Sequence, residues 1–296
     1  MIVILAAPIG ENSSFGNQLF QLSFGLYLEK NLGVKVRFFI RKKASTRPWS
    51  LRVNSEEQVI ESLIHPSTLV KTRGFVDSLI RLATFLPGLT LDDSVLADNA
   101  SGLPIRVGHA FLSNGYAQNY QFAEIVRTEL LDRFDKSSHF RAISNVGSAQ
   151  ISVHVRLGDY LSDTKNLKTY GVIGSRYYHD SVNYMIEQTG IRRICVVSDD
   201  PSRAYPMIVA ALRDIPKLVI LQNKGSMRDD FRTLASSRAV IIGNSTFAWW
   251  GAWLANARYQ SPVVYPSPWY LDPELDSSGL KNPNWTPVFR GTEGQP

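Results

Sequence analysis

A single cysteine, Cys195, in 296 residues leaves no partner for an intramolecular disulfide, and there is no CxxC spacing for a zinc site. A reducing compartment is the natural home of such a chain. Neither GxxxxGKS/T nor GxGxxG occurs, which counts against a P-loop and the usual dinucleotide fingerprint. The lack of a GxSxG elbow argues against an α/β-hydrolase. HExxH and Asp-x-Asp pairs are also missing, so a metal-held pyrophosphate would lack its customary ligands and Arg with helix N-termini must do that work. Met1–Pro8 has no basic leader and reads as a first buried strand, not a signal peptide. The longest apolar stretch, Ala239–Ala255, is interrupted by Asn244, Ser245 and Thr246, which rules against a membrane span.

What is present suits a folded globular protein: 44% of residues are hydrophobic and 20% charged. The length fits one large domain or two of ordinary size. A formal charge of +6 and a pI near 9.4 favour anionic partners in general. The densest basic cluster is Arg37, Arg41, Lys42, Lys43 and Arg47, close to Trp49. It reads first as a solvated face, with anionic lipid headgroups or a phosphorylated acceptor as the partners such a patch would fit. No nucleic-acid-binding signature accompanies it, and no nucleic-acid partner is expected.

The chain opens as a βαβ unit. Strand Ile2–Ala6 is followed by a polar turn through Gly10–Ser14, then a helical run from about Asn17 to Leu32. Leu19, Leu22 and Leu26 share one helical face and Phe20, Phe24 and Tyr27 another, which predicts a largely buried helix. Gly33 supplies a C-terminal stop before a strand at Val34–Ile40. Residues 41–110 show no repeat and read as a long, partly helical excursion, with a further helix at Phe122–Phe134. A polar link leads to a domain boundary, giving domains 1–145 and 146–296. The second domain alternates strands at Gln150–Val155, Arg193–Ser198, Leu218–Leu221 and Ala239–Ile242 with helices near Ser175–Gln188, Ser202–Leu212 and Met227–Ser236. That alternation predicts a parallel α/β sheet.

Three strand ends in this second half carry polar groups. Ser152–Val155 delivers His154, Arg156 and Asp159 to its C-terminal end, where open α/β sheets bind ligands. Arg156 offers a fork for phosphate oxygens, with a plain Arg156–Asp159 ion pair as the alternative. Val196-Val197-Ser198-Asp199-Asp200-Pro201 brings two carboxylates to the start of a helix. Ser198 or Asp199 suits an N-cap, leaving a carboxylate for a base edge or sugar hydroxyl. The strand before Gly243-Asn244-Ser245-Thr246-Phe247 turns straight into a helix whose free N–H groups suit phosphate. Trp249, Trp250 and Trp253 beyond it read as core packing. In the first half, Gly16-Asn17-Gln18 sits at the first βα turn.

Together these segments resemble the family of bacterial and animal galactoside α-1,2-fucosyltransferases (glycosyltransferase family 11). The resemblance is carried by Gly16-Asn17-Gln18-Leu19-Phe20-Gln21, Gly115-Tyr116-Ala117-Gln118, His154-Val155-Arg156-Leu157-Gly158-Asp159-Tyr160, Ser198-Asp199-Asp200-Pro201 and Asn244-Ser245-Thr246-Phe247-Ala248-Trp249-Trp250-Gly251-Ala252-Trp253-Leu254. It implies a GT-B-like α/β fold, two Rossmann-like domains facing a central cleft, with an acceptor-side first domain and a donor-binding second one. The implied reaction is inverting transfer of L-fucose from GDP-fucose to the 2-hydroxyl of a galactoside, with no metal or other cofactor required. Carried over to this sequence, Arg156 binds the donor pyrophosphate and stabilises the leaving GDP. Asn244, Ser245, Thr246 and Phe247 belong to the donor-binding turn, Ser245 and Thr246 holding phosphate. Asp199 or Asp200 meets the guanine edge, and Asn17 meets pyrophosphate or fucose. Asp159 and His154 are the two candidates for general base.

Two positions depart from the family pattern. Leu157 stands where the family has a second arginine, which leaves room for an inverting transferase with another nucleotide sugar. A non-catalytic nucleotide or glycan binder on the same fold is a further reading. The turn before Gly16 is longer and more polar than the family's compact one. The implied setting is a bacterial cytoplasm, free or peripheral at the inner face of the plasma membrane, with a lipid-linked surface-polysaccharide intermediate as a plausible acceptor.

Overall fold

The computed structural model describes residues 2–9, 14–33, 35–41, 59–72, 90–91, 112–113, 116–140 and 150–291. The chain forms two compact units, Met1–Arg141 and Ala142–Pro296. Both are α/β with parallel strands, the class expected from the sequence.

In the first unit, β1 (Ile2–Ile9) pairs in parallel with β2 (Lys35–Arg41), and β2 with β3 (Leu69–Thr72). Helix α1 (Phe15–Leu32) links the first two strands and ends at Gly33, whose φ of 61° places it in the left-handed region. Both of its apolar rows are buried, including Leu19, Leu22 and Leu26 on one and Phe20, Phe24 and Tyr27 on the other. Short strands β4 (Thr90–Leu91) and β5 (Leu112–Ser113) form a second parallel pair. The helix expected at 122–134 is in fact two, α2 (Tyr120–Ile125) and α3 (Arg127–Lys136). They break at the fully buried Val126, which has left helical geometry at φ −104°, ψ 23°. Of the basic cluster, Arg37 donates to the Ser67 carbonyl at 2.8 Å, tying β2 to the turn before β3, while Lys42, Lys43 and Arg47 lie outside the described residues.

The second unit holds six parallel strands: β6 (Ile151–Val155), β7 (Arg193–Ser198), β8 (Val219–Gln222), β9 (Ala239–Ile241), β10 (Val263–Ser267) and β11 (Thr286–Phe289). Their order is β11-β10-β9-β6-β7-β8, so the sheet grows outward in both directions from β6. The crossovers run through α4 (Gly158–Ser162), α5 (Thr164–Tyr170) and α6 (Ser175–Thr189), then α7 (Pro201–Ala211), α8 (Met227–Ala235) and α9 (Thr246–Tyr259).

Alternation along β6 assigns its two faces. Ile151, Val153 and Val155 enter one core with Tyr177, Val182 and Met185 of α6 and Ile208 of α7. Ser152 and His154 face the other way, Ser152 bonding the Ser237 hydroxyl just after α8 and His154 lying against Phe247 of α9. Helix α9 is buried on every side, and Trp249, Trp250 and Trp253 are core residues as the sequence suggested. β10 and β11 have no strand signature in the sequence because each contains a proline. Pro266 lies beyond the β9 pairing, which reaches only Val264, and Pro287 lies on an edge strand, where a missing N–H costs no ladder bond.

Candidate active site

Read from its other edge, the sheet of the second unit runs third-second-first-fourth-fifth-sixth strand, the doubly wound order. Direction reverses between β6 and β9, and at their C-terminal ends the crossovers leave toward opposite faces. A crevice opens there by topology alone. Arg156 follows β6, and the turn 243–245 follows β9.

Arg156 is held from two sides. Its Nη1 lies 3.1 Å from Asp199 Oδ2 at the end of β7, and its guanidinium carbon stands 5.6 Å from the centre of the Tyr160 ring. The second oxygen of Asp199 accepts the Leu157 N–H at 3.0 Å. One carboxylate thereby fixes both the side chain and the backbone of the turn. Gly158 is required beneath it, since a Cβ at that position would run into Asp199 Oδ2. About a third of the Arg156 side chain remains open to solvent, 31%, so a ligand can reach it.

Arg156 therefore pairs with Asp199, donated by the neighbouring strand, while the local Arg156–Asp159 pair the sequence offered falls on a side chain outside the described residues. The chain enters α4 at Gly158, while β7 places Asp199 opposite. Asp159 sits on α4, and its side chain lies outside the described residues. The cap of α7 also falls one residue later than expected. Asp200 is the N-cap, accepting from the Arg203 N–H at 3.3 Å and the Ser202 hydroxyl at 2.6 Å, and those bonds, Ser202 first, hold its acidity above that of a free carboxyl. Neither carboxylate is idle: Asp199 braces arginine and Asp200 caps a helix.

On the β9 side, Gly243 lets the two strand ends close up, because a Cβ there would stand 3.3 Å from the His154 carbonyl. Asn244 is buried and donates to the carbonyls of Tyr170 at 2.8 Å and Trp269 at 3.3 Å, while its own carbonyl accepts from the Tyr160 hydroxyl at 2.9 Å. Asn244 thus locks the turn, leaving Ser245 and Thr246 at the helix entrance. Ser245 is the N-cap residue of α9, yet its hydroxyl makes no capping bond. Tyr177 ties the same turn from below, donating to the Ile242 carbonyl at 2.6 Å.

His154 lies between the two strand ends, 3% exposed, with Nδ1 unpartnered and its ring 6.2 Å from that of Phe247. Burial pushes its pKa down to about 4, with Arg156 adding to the shift and Asp199 opposing it. A neutral, enclosed imidazole supports its neighbours and is a poor base at neutral pH. Leu157 points into the hydrophobic core.

Asn17 belongs to the first unit, in the first turn of α1, where its Oδ1 accepts from Gln118 Nε2 at 2.9 Å. The two amide-bearing motifs of that unit thus meet each other. In the second unit Arg156, Asp199, His154 and the 244–247 turn are brought together. Tyr160 closes the motif quoted from the sequence without a role of its own, whereas Tyr170, Tyr177, Trp269 and Arg290, which also support the site, carry no spacing signal. Among the described residues no three His, Cys, Asp or Glu side chains cluster as a metal site would need. None of the described helices is long and apolar enough to cross a membrane.

A doubly wound sheet with an arginine and a small-residue helix entrance at its switch point is the frame on which α/β proteins seat anionic ligands. The chain belongs to glycosyl transferase family 11, whose profile matches residues 97–288, well over half of its length. It is 35% identical over 130 residues to an alpha-1,2-colitosyltransferase of Escherichia coli, covering 43% of each chain. With the O-antigen biosynthesis glycosyltransferase WbnK of Escherichia coli it shares 31% identity over 121 residues, 40% of this chain and 38% of the relative. The matched stretch thus spans about two fifths of the length of these curated relatives. Among solved structures, POFUT1 in complex with GDP aligns over 89% of this chain and 97% of its own at 14% identity and a TM-score of 0.43. Escherichia coli heptosyltransferase WaaC with ADP aligns over 98% and 93% at 12% identity and a TM-score of 0.44. Both likenesses are distant.

Proposed function

We propose that the protein transfers L-fucose from GDP-fucose to the 2-hydroxyl of a galactoside, with inversion and without a metal. The observation that carries this reading is Arg156, braced by Asp199 beside the entrance of α9 at the switch point. The acceptor oxygen attacks the anomeric carbon opposite the diphosphate, the C–O bond to GDP breaks, and the electron pair leaves on the β-phosphate oxygen. Arg156 and the Ser245 hydroxyl, which makes no capping bond at the positive end of α9, meet that growing charge already oriented, which is where an enzyme gains most. The hydroxyl proton goes to a base, for which Asp159 is preferred over His154, since the imidazole is enclosed and weakly basic. The resemblance of the His154–Tyr160 and Asn244–Leu254 motifs to fucosyltransferases supports the fucosyl donor. Catalysis without a metal is supported by the lack of any Asp-x-Asp pair.

The colitosyltransferase relative, together with the loss of the family's second arginine at Leu157, favours one second reading, transfer of colitose to a 2-hydroxyl. The O-antigen relative supports a surface-polysaccharide intermediate as acceptor, handled in the cytoplasm or at the inner membrane face.

Calorimetric titration with GDP, UDP and dTDP in EDTA buffer tests the donor site. Selective GDP binding, weakened about a hundredfold or more by Arg156→Ala, is expected. Preference for UDP or dTDP, or GDP binding indifferent to Arg156, refutes it. Transfer assays with the fucosyl and colitosyl nucleotides then separate the two sugars.

A further inference from the structure

The strand ends beyond the switch point hold a second guanidinium. Arg290 directly follows β11, its N–H donating to the Ser267 carbonyl at 3.0 Å. Its side chain is 3% exposed. Nη1 donates to the Trp269 carbonyl at 3.2 Å, and Nη2, enclosed, has no hydrogen-bond partner. Among the described residues no carboxylate pairs with it. The groups that act on its charge are the phenols of Tyr178, Tyr160 and Tyr177, and burial lowers its pKa without bringing a guanidinium near neutrality. A fully charged group in that position is costly unless something anionic answers it.

Its wiring points to where the answer lies. The Trp269 carbonyl that accepts from Arg290 also accepts from Asn244, the residue that locks the helix-entrance turn. The Asn244 carbonyl in turn receives the hydroxyl of Tyr160, whose ring lies under Arg156. Arg156 is already answered by Asp199. The Leu157 side chain adds no charge. Arg290 is thus a buried positive charge on this edge for which the described residues supply no carboxylate.

We propose that Arg290 is a positioning residue for the donor diphosphate, acting from behind the 243–246 turn. Its charge completes the field that Arg156 alone, neutralised by Asp199, does not provide, and its bond to Trp269 keeps Asn244 in place. The inference rests on the reading of this site as one for a nucleotide sugar. It gives the chain a second cation for the diphosphate although the motif position for one is leucine.

The test is calorimetry on the full chain with GDP and with guanosine, comparing wild type, Arg290→Met and Arg290→Lys. Loss of the charge should weaken GDP about tenfold while guanosine changes little, and lysine should restore most of the difference. A merely structural role would weaken both ligands in parallel, in both variants, and would overturn the proposal. Should Arg290→Met not fold, the arginine Nε–H resonance of Arg290 in the wild type decides: it should shift with GDP and not with guanosine, and indifference to GDP sinks the idea. If the wild type binds no GDP, the nucleotide-sugar reading falls and this inference with it. If it binds GDP and the Arg290 variants match it, only the inference falls.

Discussion

The two sides of the β6–β9 crevice solve opposite problems. On the β6–β7 side each described charge has its answer: Asp199 braces Arg156, Asp200 caps α7, and part of every group stays wet. On the β9–β11 side Asn244 and Arg290 are dry, aromatic side chains surround them, and among the described residues no carboxylate pairs with Arg290. The first arrangement is stable empty; the second is better off with an anion present. A site built this way keeps its geometry when vacant and still gains from ligand charge.

The strongest way to break the contrast is to put a second buried cation behind the balanced side. Leu157→Arg restores the family's arginine, but the side chain enters a hydrophobic core, and a loss of about 4 kcal/mol in urea unfolding is expected. Unchanged stability with tighter GDP binding would mean that position 157 faces the ligand. Gly158→Ala comes next. Its Cβ displaces Asp199 from Arg156; turnover should fall about tenfold to a hundredfold with a smaller loss of melting temperature. Wild-type turnover in that variant would contradict the bracing role.

His154 sits at the join and sharpens the comparison through pH. Its folded pKa, near 4, lies below the ordinary 6.5, so the unfolded chain binds the extra proton first. Stability is unaffected by this group above about 6.5 and falls as pH drops from there toward 4, by roughly 3 kcal/mol in all. Denaturant melts across that window should show the slope, and His154→Phe should flatten it. The smallest effect belongs to Asp200→Ala, which removes one cap from the balanced side and should lower the melting temperature slightly with little change in GDP affinity.

Much of this was legible in the sequence where a local rule governs. The period of α1, the β-branched runs of β6 and β7 and the glycine stop at Gly33 each follow from neighbours within one turn or strand. Asp199, Arg156 and the 244–247 turn could be named because polar residues at strand ends are conspicuous. The pairing of Arg156 with Asp199 could not, since that carboxylate is 43 residues away and only the sheet order brings it near. The bonds from Tyr177 to Ile242 and from Arg290 to Trp269 likewise depend on tertiary placement. Proline hid β10 and β11, which are strands only because one neighbour tolerates a missing donor.

Cys195 gives the second unit a clock of its own. The thiol lies within β7, three strand positions before Ser198 at its end, and is 7% exposed. Burial first, and the Asp230 carboxylate second, raise its pKa, so it holds its proton and is silent toward alkylating reagents while the strand is in place. With no other cysteine in the chain to compete, the rate at which label appears reports how often β7 lets go of its neighbours. A ligand gripped at the end of that strand should slow the clock, and one that binds elsewhere should leave it running.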